Sequence, residues 1–510
     1  MRNLNKMKYL IISLLLICIS SCQSEKNNVV KIVFNVDVSE IQAEIEDVST
    51  LGISGYRPHL LPRRVFPLKA QGDGIYSAEM SFDKEFLGDT ITYWYSHGLI
   101  HLENLSYGQM GYRKVIIGAE DKELPIVKWG EIEATKGMTI SSPRMIVRQP
   151  DREDEENYLA QSFIGITTDG QLKKELYSIH ETGLPIGTIR TSVVKFLDAL
   201  NQEQKHKTMF PIDATEWQRW SNTDFYRRKG ICLCDLNEVQ KELAIDILKG
   251  SLSPMGFEKS NNVMKMEAYL GRIVNKTERF NSDLYWLTIM GNPSETEPWG
   301  WQLDGHHLVI NYFILNDQVV MTPTFMGSEP VYIESSEGEG TRTFEKEENL
   351  GLEFYNSLTK EQRITATLHD KKEFNFIQTQ SYSDNRIIPY TGIKTTELDL
   401  KQKELLVSLI YAYVGNMKAG HAAVKMNEVK EHLDETYFSW IGKPDDVHPF
   451  YYRIHSPVIL IEFDHQKPIE LSGDKPTRQH IHTVVRTPNG NDYGKDLLRQ
   501  HLEEEEHHHE

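Results

Sequence analysis

Four histidines fall in two short clusters far apart in the chain, Gly305-His306-His307 and His480-Ile481-His482. Imidazole is the commonest metal ligand and titrates near neutrality, so such clusters point to metal coordination or to acid-base chemistry. In an extended strand side chains alternate, which puts His480 and His482 on one face at a spacing suited to two ligands of one ion. The same rule sends His306 and His307 to opposite faces. His307 then goes with Asn311 and His306 with Asp304 and Gln302, unless Gly305 breaks the strand.

Acidic and basic side chains stand near these clusters. Glu462 and Asp464 intrude on a shared face of the apolar run Pro457-Val-Ile-Leu-Ile-Glu-Phe-Asp464. A buried carboxylate requires a partner, which Arg453 or Arg486 could supply as a structural ion pair, and the histidines as a metal or acid-base site. The leading reading is a metal-dependent enzyme, oxidoreductase or hydrolase. It draws ligands for a divalent transition metal from His306, His307, His480 and His482, uses Glu462 or Asp464 as ligand or base, and has Arg453 or Arg486 hold an anionic group. Trp299, Trp301 and Tyr452 wall its substrate pocket together with Asn311. The competing reading is a non-catalytic surface lipoprotein whose histidines are structural. Elsewhere the motifs are negative: the chain has no phosphate-binding glycine loop, no Gly-x-Ser-x-Gly elbow and no His-Glu-x-x-His helix. This argues against kinases, standard serine hydrolases and zincins.

The elements that must position these residues begin with a targeting segment. Arg2, Lys6 and Lys8 precede an apolar run from Tyr9 to Ile19, of signal-peptide length and too short to span a bilayer. It ends in Ile19-Ser-Ser-Cys22, which resembles the lipobox of bacterial lipoproteins. The expected product is an extracytoplasmic protein anchored to the cell envelope, at the outer membrane, by lipid on Cys22, with residues 23–29 as a tether. Acidic residues outnumber basic ones 74 to 56, a net charge of −18 that repels nucleic acid, leaving the membrane anchor and a small-molecule or polymer substrate as partners. Cys232 and Cys234 are then the cysteines left to fold. Their Cys-x-Cys spacing in extended chain favours structural or unpaired roles over a disulfide, with a two-cysteine metal site as the lesser option.

Period-two alternation at Val30, Ile32, Phe34, Val36 and Val38, a Gly72-Asp73-Gly74 turn and strand-like runs at 75–82, 91–95 and 114–117 predict an all-β sandwich over residues 30–140. Through Lys31–Val38, Phe66-Pro-Leu-Lys69, Gly72–Ser77 and Leu124–Val127 this block resembles immunoglobulin-like modules related to starch-binding domains. It lacks their Gly-x-Phe-Asn-x-Trp turn, and Tyr93, Trp94 and Tyr95 are the remaining stacking candidates, two of them expected in the core. Residues 141–156 read as a linker, and the acidic, histidine-rich 503–510 as a solvated tail.

Between them, residues 157–502 mix helix and strand. Leu236-Asn-x-x-Gln240-Lys, Leu358-Thr-x-x-Gln362-Arg and Leu398-Asp-x-x-Gln402-Lys share a capping grammar that opens a helix each time. Runs at 284–290, 299–315, 318–325, 451–464 and 480–486 read as strands, so the domain is α+β, an antiparallel sheet covered by helices. Leu284–Gly291, Trp299–Leu308, Phe438–Gly442, Tyr451–Ile454, Leu460–Asp464, His480–Arg486 and Asn491–Leu498 with His501 resemble the family called domain of unknown function 3500, a name that implies no activity. The chain departs from that pattern in a longer stretch from His465 to Gln479, without the usual asparagines, and at Val485 and Thr487.

Overall fold

The structure, a computed structural model, describes residues 29–41, 45, 51–55, 66–97, 101–102, 113–129, 158–224, 226, 228–333 and 340–509. Cys22, the residues before it and the 141–156 segment lie outside these. The chain divides into two compact units, residues 1–141 and 142–510.

The first unit holds strands β1 (Val29–Asp37), β2 (Leu51–Gly55), β3 (Phe66–Pro67), β4 (Lys69–Gly72), β5 (Ile75–Asp83), β6 (Thr90–His97), β7 (His101–Leu102), β8 (Arg113–Ile116), β9 (Lys122–Glu123) and β10 (Val127–Lys128). One sheet runs β10-β1-β5-β4 with β9 on β1, and the other β3-β2-β6-β7 with β8 on β6. Ile32, Phe34 and Val36 from the first share one core with Ile53, Ile91, Tyr93 and Tyr95 from the second, which makes the unit a β-sandwich. Trp94 is also buried, so the aromatic triplet offers no open stacking platform.

The second unit is α+β. Its helices are α1 (Gly187–Ala199), α2 (Gln202–Thr208), α3 (Glu238–Ser251), α4 (Pro254–Ile273), α5 (Glu345–Ser357), α6 (Lys360–Ala366), α7 (Leu400–Val414), α8 (Ala419–Glu431) and α9 (Lys495–His509). Its strands are β11 (Met209–Phe210), β12 (Ile231–Cys232), β13 (Tyr285–Met290), β14 (Trp299–Gly305), β15 (Leu308–Leu315), β16 (Gln318–Val320), β17 (Thr324–Ser328), β18 (Thr367–His369), β19 (Ile393–Lys394), β20 (Tyr437–Gly442), β21 (Phe450–His455), β22 (Leu460–His465) and β23 (Ile481–Arg486). They form one sheet in the order β11-β13-β14-β15-β17-β23-β22-β21-β20-β18. Its long ladders are antiparallel, and two short outer pairings, β11 with β13 and β18 with β20, are parallel, so the sheet is mixed.

That order is nearly a palindrome, and so is the chain that makes it. The series α1, α2, β11, β12, α3, α4, β13, β14, β15, β17 is repeated as α5, α6, β18, β19, α7, α8, β20, β21, β22, β23. The two halves meet where β17 pairs antiparallel with β23. Gly291-Asn-Pro-Ser-Glu-Thr-Glu-Pro-Trp299 and Gly442-Lys-Pro-Asp-Asp-Val-His-Pro-Phe450 occupy equivalent places. Both glycines have positive φ, and a Cβ on either would meet the carbonyl of the second proline at 2.8 or 2.7 Å.

The sheet is covered on both faces. Ile189, Phe196, Ile247, Phe354, Leu406 and Leu409 from the helices pack on Leu287, Trp301, Tyr312, Tyr452 and Phe463. The opposite face carries Val309, Phe313, Phe325 and Val484 against Trp217, Trp220, Tyr493 and Leu497. A sheet buried on both sides carries apolar residues on both faces of its strands, and the polar ones among them, such as Gln302, Asp304, Glu462 and Asp464, are buried too.

Helix α9 runs through the terminal stretch to His509. One expectation changes here. Cys232 and Cys234 form a disulfide. The chain bends into a 3₁₀ turn at Leu233–Asp235 where an extended strand was assumed, and their Cα atoms lie 5.1 Å apart, well within disulfide reach. With the sulfurs bonded to each other, a two-cysteine metal site is removed.

Candidate metal centre

Strands β14 and β15 are joined by a two-residue turn made of His306 and His307 themselves, with Gly305 paired to Leu308. His307 takes the left-handed φ of 62°, and the space beside Gly305 is filled by the Tyr285 ring. Strand alternation therefore does not apply to the doublet, and the expected opposition is corrected: the rings stack with centroids 3.8 Å apart. The expected grouping of His307 with Asn311 also fails. Asn311 accepts from Gln302 at 2.7 Å and donates to the Pro323 carbonyl at 2.8 Å.

His482 is the cross-strand neighbour of Gly327 and of Asp464, and His480 stands just before β23. Their shared face brings the two Nε2 atoms to 2.9 Å, and the Nε2 of His307 comes within 3.3 Å of that of His480. Metal–nitrogen bonds of about 2.0–2.1 Å in tetrahedral geometry space ligand nitrogens roughly 3.3 Å apart, so the trio has close to a chelating bite. The ring of His480 is oriented for it. Its Nδ1 lies 2.6 Å from the Lys467 carbonyl, which can only accept, so the proton sits there and Nε2 presents a lone pair.

A carboxylate that the sequence reading missed completes the cluster. Glu267 on α4 places Oε1 2.5 Å from His306 Nδ1 and Oε2 3.6 Å from His307 Nδ1. The clue was available, because Glu267 falls on the buried stripe Ser260, Val263, Met264, Leu270, where an unpartnered acid would be expensive. Glu329, just beyond β17, accepts from the amides of Ile469 and Leu471 at 3.0 Å and lies 3.7 Å from His480 Nδ1. It fixes the segment that carries Lys467.

The electrostatics suit ligation. His307, His480 and His482 are 2, 2 and 7% exposed. Burial, reinforced by the charge of His306, pushes His307 down to about 3, and burial chiefly lowers His480. Burial favours the neutral acid for Glu267, but His306 and His307 outweigh it and hold the carboxyl at about 2. His307 and His480 are thus held neutral beside a fixed carboxylate, the forms in which these groups bind cations, while the same carboxylate raises His306 against its burial.

The other residues singled out in the sequence have different partners. Glu462 accepts from the amides of Gln378 and Thr379, the Thr379 hydroxyl and the Tyr451 hydroxyl. Asp464 is paired with the buried Lys372 at 2.9 Å and accepts from the Phe376 amide, and burial raises it to about 6 despite that lysine. Arg486 bonds Asp384, Asp492 and the Thr379 carbonyl, and Arg453 donates to the Thr391 hydroxyl at 2.6 Å. These four groups tie the 374–391 segment to the sheet. Trp299 donates to the Ser294 carbonyl, Trp301 stacks on Tyr312, and the Tyr452 hydroxyl contacts Tyr413, all within the helix-side core rather than on a pocket wall.

Residues 182–495 match the family described as a protein of unknown function, DUF3500. No curated protein and no solved structure matches the chain.

Proposed function

The chain belongs to the DUF3500 family, and we propose that its large domain is a metal-dependent enzyme, an oxidoreductase or a hydrolase, carried outside the cytoplasm on a lipid at Cys22. The observation that supports it is the convergence of three Nε2 atoms, from His307, His480 and His482, out of stretches far apart in sequence. Three imidazoles suit zinc, copper, iron or nickel, and a bound ion of that class supplies Lewis acidity or an electron. The chain's own part is to hold the ligands. Lys467 and Glu329 set the His480 ring, and Glu267 faces the His307 Nδ1 so that Nε2 points inward. The Cys232–Cys234 disulfide supports an oxidising compartment, in keeping with the lipobox.

Near-complete burial of the three rings favours a second reading, a structural cluster in a non-catalytic binding lipoprotein. Elemental analysis of the mature chain lacking residues 503–510 tests the first. Bound transition metal is expected, and the ion on the three Nε2 atoms should be lost in the His480→Ala, His482→Ala double variant with the circular dichroism spectrum retained. A folded wild-type chain that takes up none from zinc or copper solutions would defeat the metal reading and leave the histidines structural. Labelling with palmitate, lost in Cys22→Ser, checks the anchor.

A further inference from the structure

His307 is shared between two clusters and uses a different nitrogen for each. Its Nε2 faces His480 at 3.3 Å within the three-imidazole group, while its Nδ1 faces Glu267, whose other oxygen is on His306. In each group one donor atom per residue lies within 4.8 Å of the others. We propose that the centre is dinuclear: a second divalent transition ion is held by Glu267, His306 and the Nδ1 of His307, whose ring bridges it to the ion on His480 and His482. This rests on the metal-centre reading above and extends it.

Three features of the second group favour a ligand set over a purely orienting carboxylate. Glu267 addresses both rings of the doublet, one oxygen to each, where orienting His307 needs only one. The left-handed turn at His307 places two adjacent rings on one side, an arrangement no strand could give. The His306 side chain is 17% exposed against 2% for His307, so the outer position reaches solvent and can take an exogenous ligand that the buried inner one cannot. Imidazole and carboxylate together suit copper(II) or zinc. Bridging removes the one N–H proton of a neutral His307 ring, which leaves to solvent. The resulting imidazolate charge is offset by the two cations.

The test titrates the mature chain lacking residues 503–510 with copper(II), reading bound metal by elemental analysis and spin by electron paramagnetic resonance. Two equivalents are expected in the wild type, with signal intensity below that of two isolated ions because an imidazolate couples their spins. His306→Ala and Glu267→Ala should each weaken the second equivalent by roughly a hundredfold. They should keep the first and restore the full signal of one isolated copper. His306→Gln, at a partly exposed position, guards against a folding artefact. One equivalent in the wild type, unchanged by His306→Ala and uncoupled in spin, would overturn the dinuclear proposal while leaving the single-metal reading intact. No equivalent at all would sink both.

Discussion

A methyl group at position 327 would sit 2.9 Å from Cδ2 of His482 and 3.0 Å from Cδ2 of His307, because Gly327 is the β17 neighbour of His482 and its amide also donates to the His307 carbonyl. Gly327→Ala must therefore push the rings apart. It is expected to weaken metal binding about 10–100-fold, with an overpacking loss of about 1–3 kcal/mol in stability. Metal titration alongside urea unfolding measures both, and unchanged affinity would show that the rings do not act together. A second residue sets a pH dependence away from the centre. Burial raises Glu216 to about 7, against the pull of Lys229 and Arg219 and with the help of Asp304. Between pH 4.5 and 7 the folded chain holds a proton that the unfolded chain has released, so stability falls as pH rises through that window. The loss is at most about 3 kcal/mol. Glu216→Gln removes the ionisation, so it should match the wild type near pH 5 and be the more stable protein at pH 8 in urea unfolding. Among single residues, the histidines announced themselves by type and spacing. Glu462 was as conspicuous, yet its oxygens are taken up by amides and hydroxyls, whereas Glu267 was one acid in an ordinary amphipathic helix.

The reciprocal glutamines decide how helices pair. Gln402 accepts from the Asp399 amide and donates both to the Ser357 carbonyl at 2.9 Å and to Gln362 at 2.8 Å. Gln240 does the same in the first half, with Asn237, Ala199 and Gln204. Each capping glutamine thus locks its helix to the start of the one before it. Gln402→Ala, at a buried position, should lose about 2–3 kcal/mol, and the more exposed Gln362→Ala about 1. Equal losses in denaturant unfolding would refute the distinction. The capping grammar was legible three times in the sequence. A fourth copy, Leu200-Asn-Gln-Glu-Gln204-Lys, opens α2, a seven-residue helix like its counterpart α6. The five strand runs all hold strands, but 299–315, 318–325 and 451–464 each proved to be two, and β20 was not among them. The polar stretch Asp304-Gly305-His306-His307 did mark the turn of the first run, but the apolar residues on both sides of it made the whole read as one strand.

At the scale of the large domain, the duplication explains where the centre lies and what it should do to stability. Its ligands come from both halves: His307 and Glu267 from the first, His480 and His482 from the second. Among the described residues, the topologically equivalent place at the other end of the β17–β23 pair, between α8, the β21–β22 connection and the opposite strand ends, holds no such set. It is a cavity lined by Thr322, Thr324, Lys425, Glu428, Ile459 and Thr487. An ion in the first place thus cross-links the two repeats at one end alone, and it binds only where β17, β23 and the β14–β15 turn are already assembled. Since the unfolded chain cannot gather these groups, the whole binding energy should appear as folding stability. With free metal at a hundred times its dissociation constant the gain is about 2.7 kcal/mol, which for a domain of this size raises Tm by about 5 °C. Calorimetry of the mature chain lacking residues 503–510, before and after chelation, should show the large domain's transition fall by that amount and recover on adding metal back. His480→Ala, which removes a ligand supplied by the second half, should show a much smaller change on chelation, and a wild-type transition indifferent to chelator would mean that no ion links the halves.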